Sequence, residues 1–61
     1  MNDIDFRTFL RIERARRNQN LLEFAGTIGI PRHRLEHWLY IKVPSELVQE
    51  AVRARLLQKA G

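Results

Sequence analysis

Residues 21–40 read LLEFAGTIGIPRHRLEHWLY, and the fold turns on this stretch. Gly29 can take the left-handed backbone conformation in which a helix ends at a tight turn. Pro31 follows, a residue favoured at the first position of a helix. Upstream, Asn20 is a good N-cap, and Glu23 stands three residues later as in a capping box, with asparagine in place of serine or threonine. The stretch is therefore expected to form a short helix over 21–28, a glycine turn, and a second helix over 31–40. Ala25 is small where a second helix must cross closely. Gly29 makes the turn four residues on, and Leu35 and Trp38 share the inward face of the next helix.

Working outward, a first helix is expected over residues 3–17. Asp3 and Asp5 suit its N-terminal dipole, and Arg14, Arg16 and Arg17 suit its C-terminal end. Phe6, Phe9, Leu10 and Ile12 supply an apolar face. Glu13 falls close to that face and is expected to pair with Arg16 or Arg17, three and four residues on. Pro44 reads as another helix start, and a last helix over 44–59 is rich in leucine, alanine, glutamate and arginine. That helix carries two apolar stripes. Leu47, Ala51 and Ala54 form a narrow one expected to pack on the domain. Val48, Val52 and Leu56 form a second, which either completes the core or makes a two-fold dimer contact. Valine and isoleucine are sparse and never alternate with polar residues over a strand length. The expected architecture is all-α: one four-helix domain over residues 1–61.

Composition narrows the function. A chain of 61 residues has a small core, and without cysteine it has neither disulfides nor a thiolate metal site. Its longest uncharged apolar run is far too short to span a membrane, and MNDIDFR is unlike a signal peptide, so a cytoplasmic protein is expected. Eleven basic residues against seven acidic ones give +4 and a pI near 10.7. Nine of the eleven are arginine, the better residue for bidentate contact with phosphate. A small basic domain points towards nucleic acid.

The set Ala25, Gly29, Leu35 and Trp38, with Ile30 at the apolar turn position, resembles the DNA-binding domains of lambda-repressor and Cro type. Those domains show a small residue, glycine four later, an aliphatic six after that, and tryptophan or an aliphatic three further. The following WLYIKVPSEL is similar to the tryptophan, spacer and valine–proline of small all-helical phage Cro proteins. Together the resemblance covers residues 20–50. It implies a lambda-repressor-like helix-turn-helix whose second helix enters the DNA major groove. Leu21 departs from the family, which often opens this helix with a phosphate-binding glutamine. Asn20 or Gln19 would then have to make that contact.

With Leu35 and Trp38 inward, helical periodicity turns Arg32, His33, Glu36, His37 and Tyr40 outward, as the family's base-reading positions are. Arginine can bridge guanine, glutamate can accept from cytosine, and imidazole can donate or accept. Arg34, Lys42, Asn20, Arg14, Arg16 and Arg17 are the expected phosphate contacts, which set docking rather than specificity. HRLEH, residues 33–37, also matches an H-x-x-E-H zinc-peptidase signature. The chain has only these two histidines, however, and Glu46 and Glu50 are remote as third ligands. No metal, cofactor, catalytic residue or small-molecule ligand is expected. The expected function is sequence-specific regulation of transcription by a Cro-like repressor of a phage or mobile element. It would bind double-stranded DNA as a homodimer on an inverted repeat and block the promoter. The alternatives are an excisionase-like architectural factor and a helix-turn-helix scaffold that binds and blocks another regulator.

Overall fold

A computed structural model describes residues 4–57. Four helices follow in chain order: α1 Phe6–Arg17, α2 Leu21–Ile28, α3 Arg32–Tyr40 and α4 Glu46–Leu57, with no strand among the described residues. The all-α four-helix expectation holds. No helix among the described residues is long and apolar enough to cross a membrane.

α1 starts later than expected because Asp5 acts as its cap. Its Oδ1 accepts the Thr8 backbone N–H at 2.8 Å, satisfying one of the helix's unpaired donors. That hydrogen bond from Thr8 holds the Asp5 carboxyl below its ordinary range. Asp3 lies outside the described residues. The helix ends at Asn18, in the left-handed region with φ 54°. Its buried stripe is Phe6, Phe9, Leu10 and Glu13, a spacing of i, i+3, i+4 and i+7. Ile12 was expected on this face but is exposed, because the stripe continues to Glu13. Glu13 is only 4% exposed and is paired with Arg16 at 3.0 Å and with Arg17, as its spacing predicted.

The capping box at α2 forms in both directions: Glu23 N–H donates to Asn20 Oδ1 at 2.8 Å and Asn20 N–H to Glu23 Oε1 at 3.0 Å. At the other end, Gly29 sits at φ 94°, ψ 31°. The Ala25 carbonyl accepts from both Gly29 N–H (2.8 Å) and Ile30 N–H (3.0 Å), which closes the turn. Pro31 is the N-cap of α3 rather than its first residue, and contributes no side-chain bond there. Ala25, Leu35, Trp38 and Leu39 are buried with Phe24, Leu10 and Ile28 in one core. Phe24, Leu10 and Leu35 are its most enclosed large side chains.

α4 reverses the stripe assignment made from sequence. Val52 and Leu56, for which core and dimer contact both stood open, are 6% and 4% exposed and belong to the core, so they are not a dimer contact. Leu47, Ala51 and Ala54, expected to pack inward, face solvent, with Leu47 79% exposed. Bulk explains the choice. A buried valine or leucine side chain contributes about 1.5–3 kcal/mol, whereas an alanine removes little area from water. Val48, at the margin between the two faces, is exposed. The expected extent to residue 59 passes the end of α4 at Leu57, and the residues beyond lie outside the described part.

Three arginines tie helix ends together. Arg7 of α1 donates to the Trp38 carbonyl of α3 (3.0 Å), Arg17 of α1 to Leu56 of α4 (2.8 Å), and Arg55 of α4 to Thr27 of α2 (3.1 Å). Each acceptor lies in the last turn of its helix, where carbonyls lack intrahelical partners and the dipole favours a cation. Arg53 lies over the Phe9 ring at 4.7 Å from its centroid and donates to the Ile4 carbonyl at 3.3 Å.

Candidate nucleic-acid interface

α3 is amphipathic because Leu35, Trp38 and Leu39 fill its inner face. By helical geometry, the opposite side is centred on His33, His37 and Tyr40, with Arg32 and Glu36 on one flank and Arg34 on the other. All are exposed except Glu36, which is half-buried. The structure thus brings every sequence-predicted base reader onto one accessible surface. Arg32 Nε lies 3.6 Å from Glu36 Oε2, one turn apart. Both side chains are well solvated, so the pair is worth only about 0.3–0.5 kcal/mol and either partner can be redirected. His33, Arg34, His37 and Trp38 line a shallow depression of about 380 Å³.

The two histidines share a face one turn apart, but no third ligand joins them. Among the described residues no group of three His, Cys, Asp or Glu side chains converges on a point that could hold a metal ion.

The predicted phosphate contacts divide. Arg34 and Lys42 are exposed and make no side-chain hydrogen bond or ion pair among the described residues, and Lys42 lies in the loop after α3. Asn20 uses Oδ1 for the cap, which leaves its amide N–H groups facing outward at the positive end of α2. Gln19 cannot serve in the same way, since its Nε2 donates to Thr27 Oγ1 at 3.0 Å. Arg14 is bound to the Gln19 carbonyl (3.2 Å), and Arg17 to Glu13 and the Leu56 carbonyl. Arg16 pairs with Glu13 through an exposed guanidinium, its side chain 67% accessible against 29% for Arg17. Of these three, Arg16 alone is exposed.

Seven arginines (Arg7, Arg14, Arg16, Arg17, Arg32, Arg53 and Arg55) therefore make intramolecular bonds or ion pairs. The structural roles of Arg7, Arg53 and Arg55 have no local sequence signal, because each acts on a residue at least 28 positions away.

Beside α3, an open apolar groove of about 320 Å³ runs along α4. Ile30, Trp38, Leu47, Val48 and Ala51 line it, and Arg34 and Arg55 rim it.

No protein-family model matches this chain, and neither the curated proteins nor the solved structures contain a significant match to it.

Proposed function

We propose that this protein is a sequence-specific DNA-binding regulator of transcription of the Cro-like helix-turn-helix type, acting as a repressor from a phage or mobile element. The observation that carries the reading is α3 itself. One face is locked into the core by Leu35, Trp38 and Leu39, and the other presents Arg32, His33, His37 and Tyr40 to solvent. Such a helix fits the DNA major groove, where arginine and imidazole can address base edges. Arg34 and Lys42, with the amide of Asn20 and the guanidinium of Arg16, dock on the flanking phosphates. One module buries only about 600–1,000 Å² on DNA, so strong specificity calls for two copies. The two-fold contact uses the outer face of α4, at Leu47, Val48, Ala51 and Ala54. A bound dimer represses by covering promoter DNA that polymerase needs.

The test is an unbiased selection of bound DNA sequences at moderate salt. An enriched inverted repeat with half-sites about one helical turn apart supports the reading. Retention of no preferred sequence overturns it. Three cationic phosphate contacts per protomer, from Arg16, Arg34 and Lys42, predict a log affinity against log salt slope of about −2.7 per protomer. Leu47→Glu is expected to weaken binding to the paired half-sites without unfolding the domain, because the side chain is exposed. The apolar groove beside α3 favours a second reading, a module that binds and blocks another regulator. Arg32→Ala with His37→Ala separates the two: biological activity retained after DNA binding is lost would support the protein partner.

A further inference from the structure

We infer that Arg7, on α1 and remote in sequence from α3, is a positioning residue that sets how α3 presents its outward side chains. The inference rests on the DNA-binding reading above. In a regular helix the Trp38 carbonyl would accept the N–H of Lys42. Here the Lys42 and Ile41 N–H groups both bond to the His37 carbonyl, each at 2.9 Å, and Trp38 is left without a backbone partner. Arg7 Nε fills the vacancy at 3.0 Å in a partly buried setting. Its charge also suits the negative end of the α3 dipole.

The contact belongs to a joint. Phe6, the residue before Arg7, meets the Trp38 ring edge-on, with centroids 5.8 Å apart and planes at 62°. Arg53 of α4 then secures the start of α1 by donating to the Ile4 carbonyl and lying 5.9 Å from the Phe6 ring centroid. α3 has no side-chain cap at its other end, where Pro31 stands. Its hydrogen-bonded fixings are thus the glycine turn on one side and Arg7 on the other. From Trp38 to Arg32 the helix rises about 9 Å, so a tilt of about 5° displaces the far end by about 0.8 Å. A base-edge hydrogen bond tolerates only a few tenths of an ångström.

Two substitutions isolate the bond. Glutamine carries its amide nitrogen the same number of bonds from the backbone as arginine carries Nε. Methionine places a methyl group there instead. Arg7→Gln and Arg7→Met remove the same charge, and only the first keeps a donor for the Trp38 carbonyl. Each variant is titrated with the selected DNA sequence and with random DNA across a salt series. Trp38, the chain's single tryptophan, reports the joint directly through its emission. Arg7→Met is expected to lose about tenfold in the ratio of selected to random affinity, the worth of one well-aligned base contact. Its random-sequence affinity and salt slope should match those of Arg7→Gln, which keeps most of the ratio.

Equal ratios in the two variants overturn the inference, as does a loss shared equally by selected and random DNA. If Arg7→Met does not fold, Arg7→Lys takes its place, with a methylene at the Nε position and the charge retained. It is then expected to discriminate about threefold less well than Arg7→Gln, and parity between them is the refuting result. A wild-type protein with no sequence preference overturns the DNA-binding reading and this inference with it. Preference in the wild type that survives in Arg7→Met overturns this inference alone.

Discussion

Replacing glycine by alanine should stabilise this protein at position 26 and destabilise it at position 29. Gly26 lies inside α2 with helical backbone, and a Cβ added there meets no atom within 4 Å. Alanine loses less conformational freedom on folding, so Gly26→Ala is worth about 0.5–1 kcal/mol of stability. Three residues later the chain sits at φ 94°. A Cβ at Gly29 would meet the Arg55 guanidinium no closer than 3.8 Å, so contact is not the obstacle. The obstacle is the left-handed backbone, which costs an ordinary L-residue about 1–2 kcal/mol. A domain of this size unfolds at about 3–9 kcal/mol, so the loss is a sizeable fraction of the total. At about 4–8 °C per kcal/mol, Gly26→Ala should raise Tm by about 2–8 °C and Gly29→Ala lower it by about 4–16 °C. Urea unfolding followed by far-ultraviolet circular dichroism should move the midpoints in the same opposite directions at constant m. Gly29→Asn should fall between wild type and Gly29→Ala, because asparagine tolerates this region, as Asn18 already does here. A Gly29→Ala midpoint at or above wild type would refute the turn assignment, and a destabilised Gly26→Ala would refute the claim of open space.

Two further outcomes follow from the charges. Glu13→Ala should destabilise the fold by about 2–3 kcal/mol. That is less than a fully buried pair because the Arg16 and Arg17 side chains are 67% and 29% exposed. Urea titration checks this, and a Glu13→Ala midpoint equal to that of wild type would show that the pairing contributes nothing to stability. Asp5 supplies the pH dependence: its folded carboxyl titrates below the ordinary value of 3.8 because it accepts the Thr8 N–H. Its contribution is therefore complete above the unfolded value and is lost as pH falls through the folded one. Between pH 5 and pH 2 the wild-type Tm should fall more steeply than that of Asp5→Asn, which keeps a capping oxygen without a titrating group; parallel curves would contradict this.

The helix, turn and helix at residues 21–40 were legible in the chain because every determinant is local. Asn20 and Glu23 satisfy each other's backbone donors, Gly29 is needed where φ is positive, and Leu35 and Trp38 lie on one face by periodicity alone. The outward placement of Arg32, His33, His37 and Tyr40 follows from the same period. The buried Glu13 with its arginine partners was equally local, being set by spacings of three and four residues.

The phase of α4 was not local. Both of its stripes are apolar, and the helix wheel gives no reason to prefer one. Bulk favours Val52 and Leu56 over Ala51 and Ala54, but only packing in the shared core leaves Leu47 outside. The fate of the arginines was decided in the same way. Composition counts nine guanidinium groups available to a partner. Tertiary structure brings the ends of α2, α3 and α4 within reach of Arg55, Arg7 and Arg17, and unpaired carbonyls there bind them. Local sequence thus determined the turn and the exposed face of α3, because hydrogen bonds and periodicity within a few residues suffice. Which cations brace the fold and which stay exposed was settled only when helices distant in the chain came together.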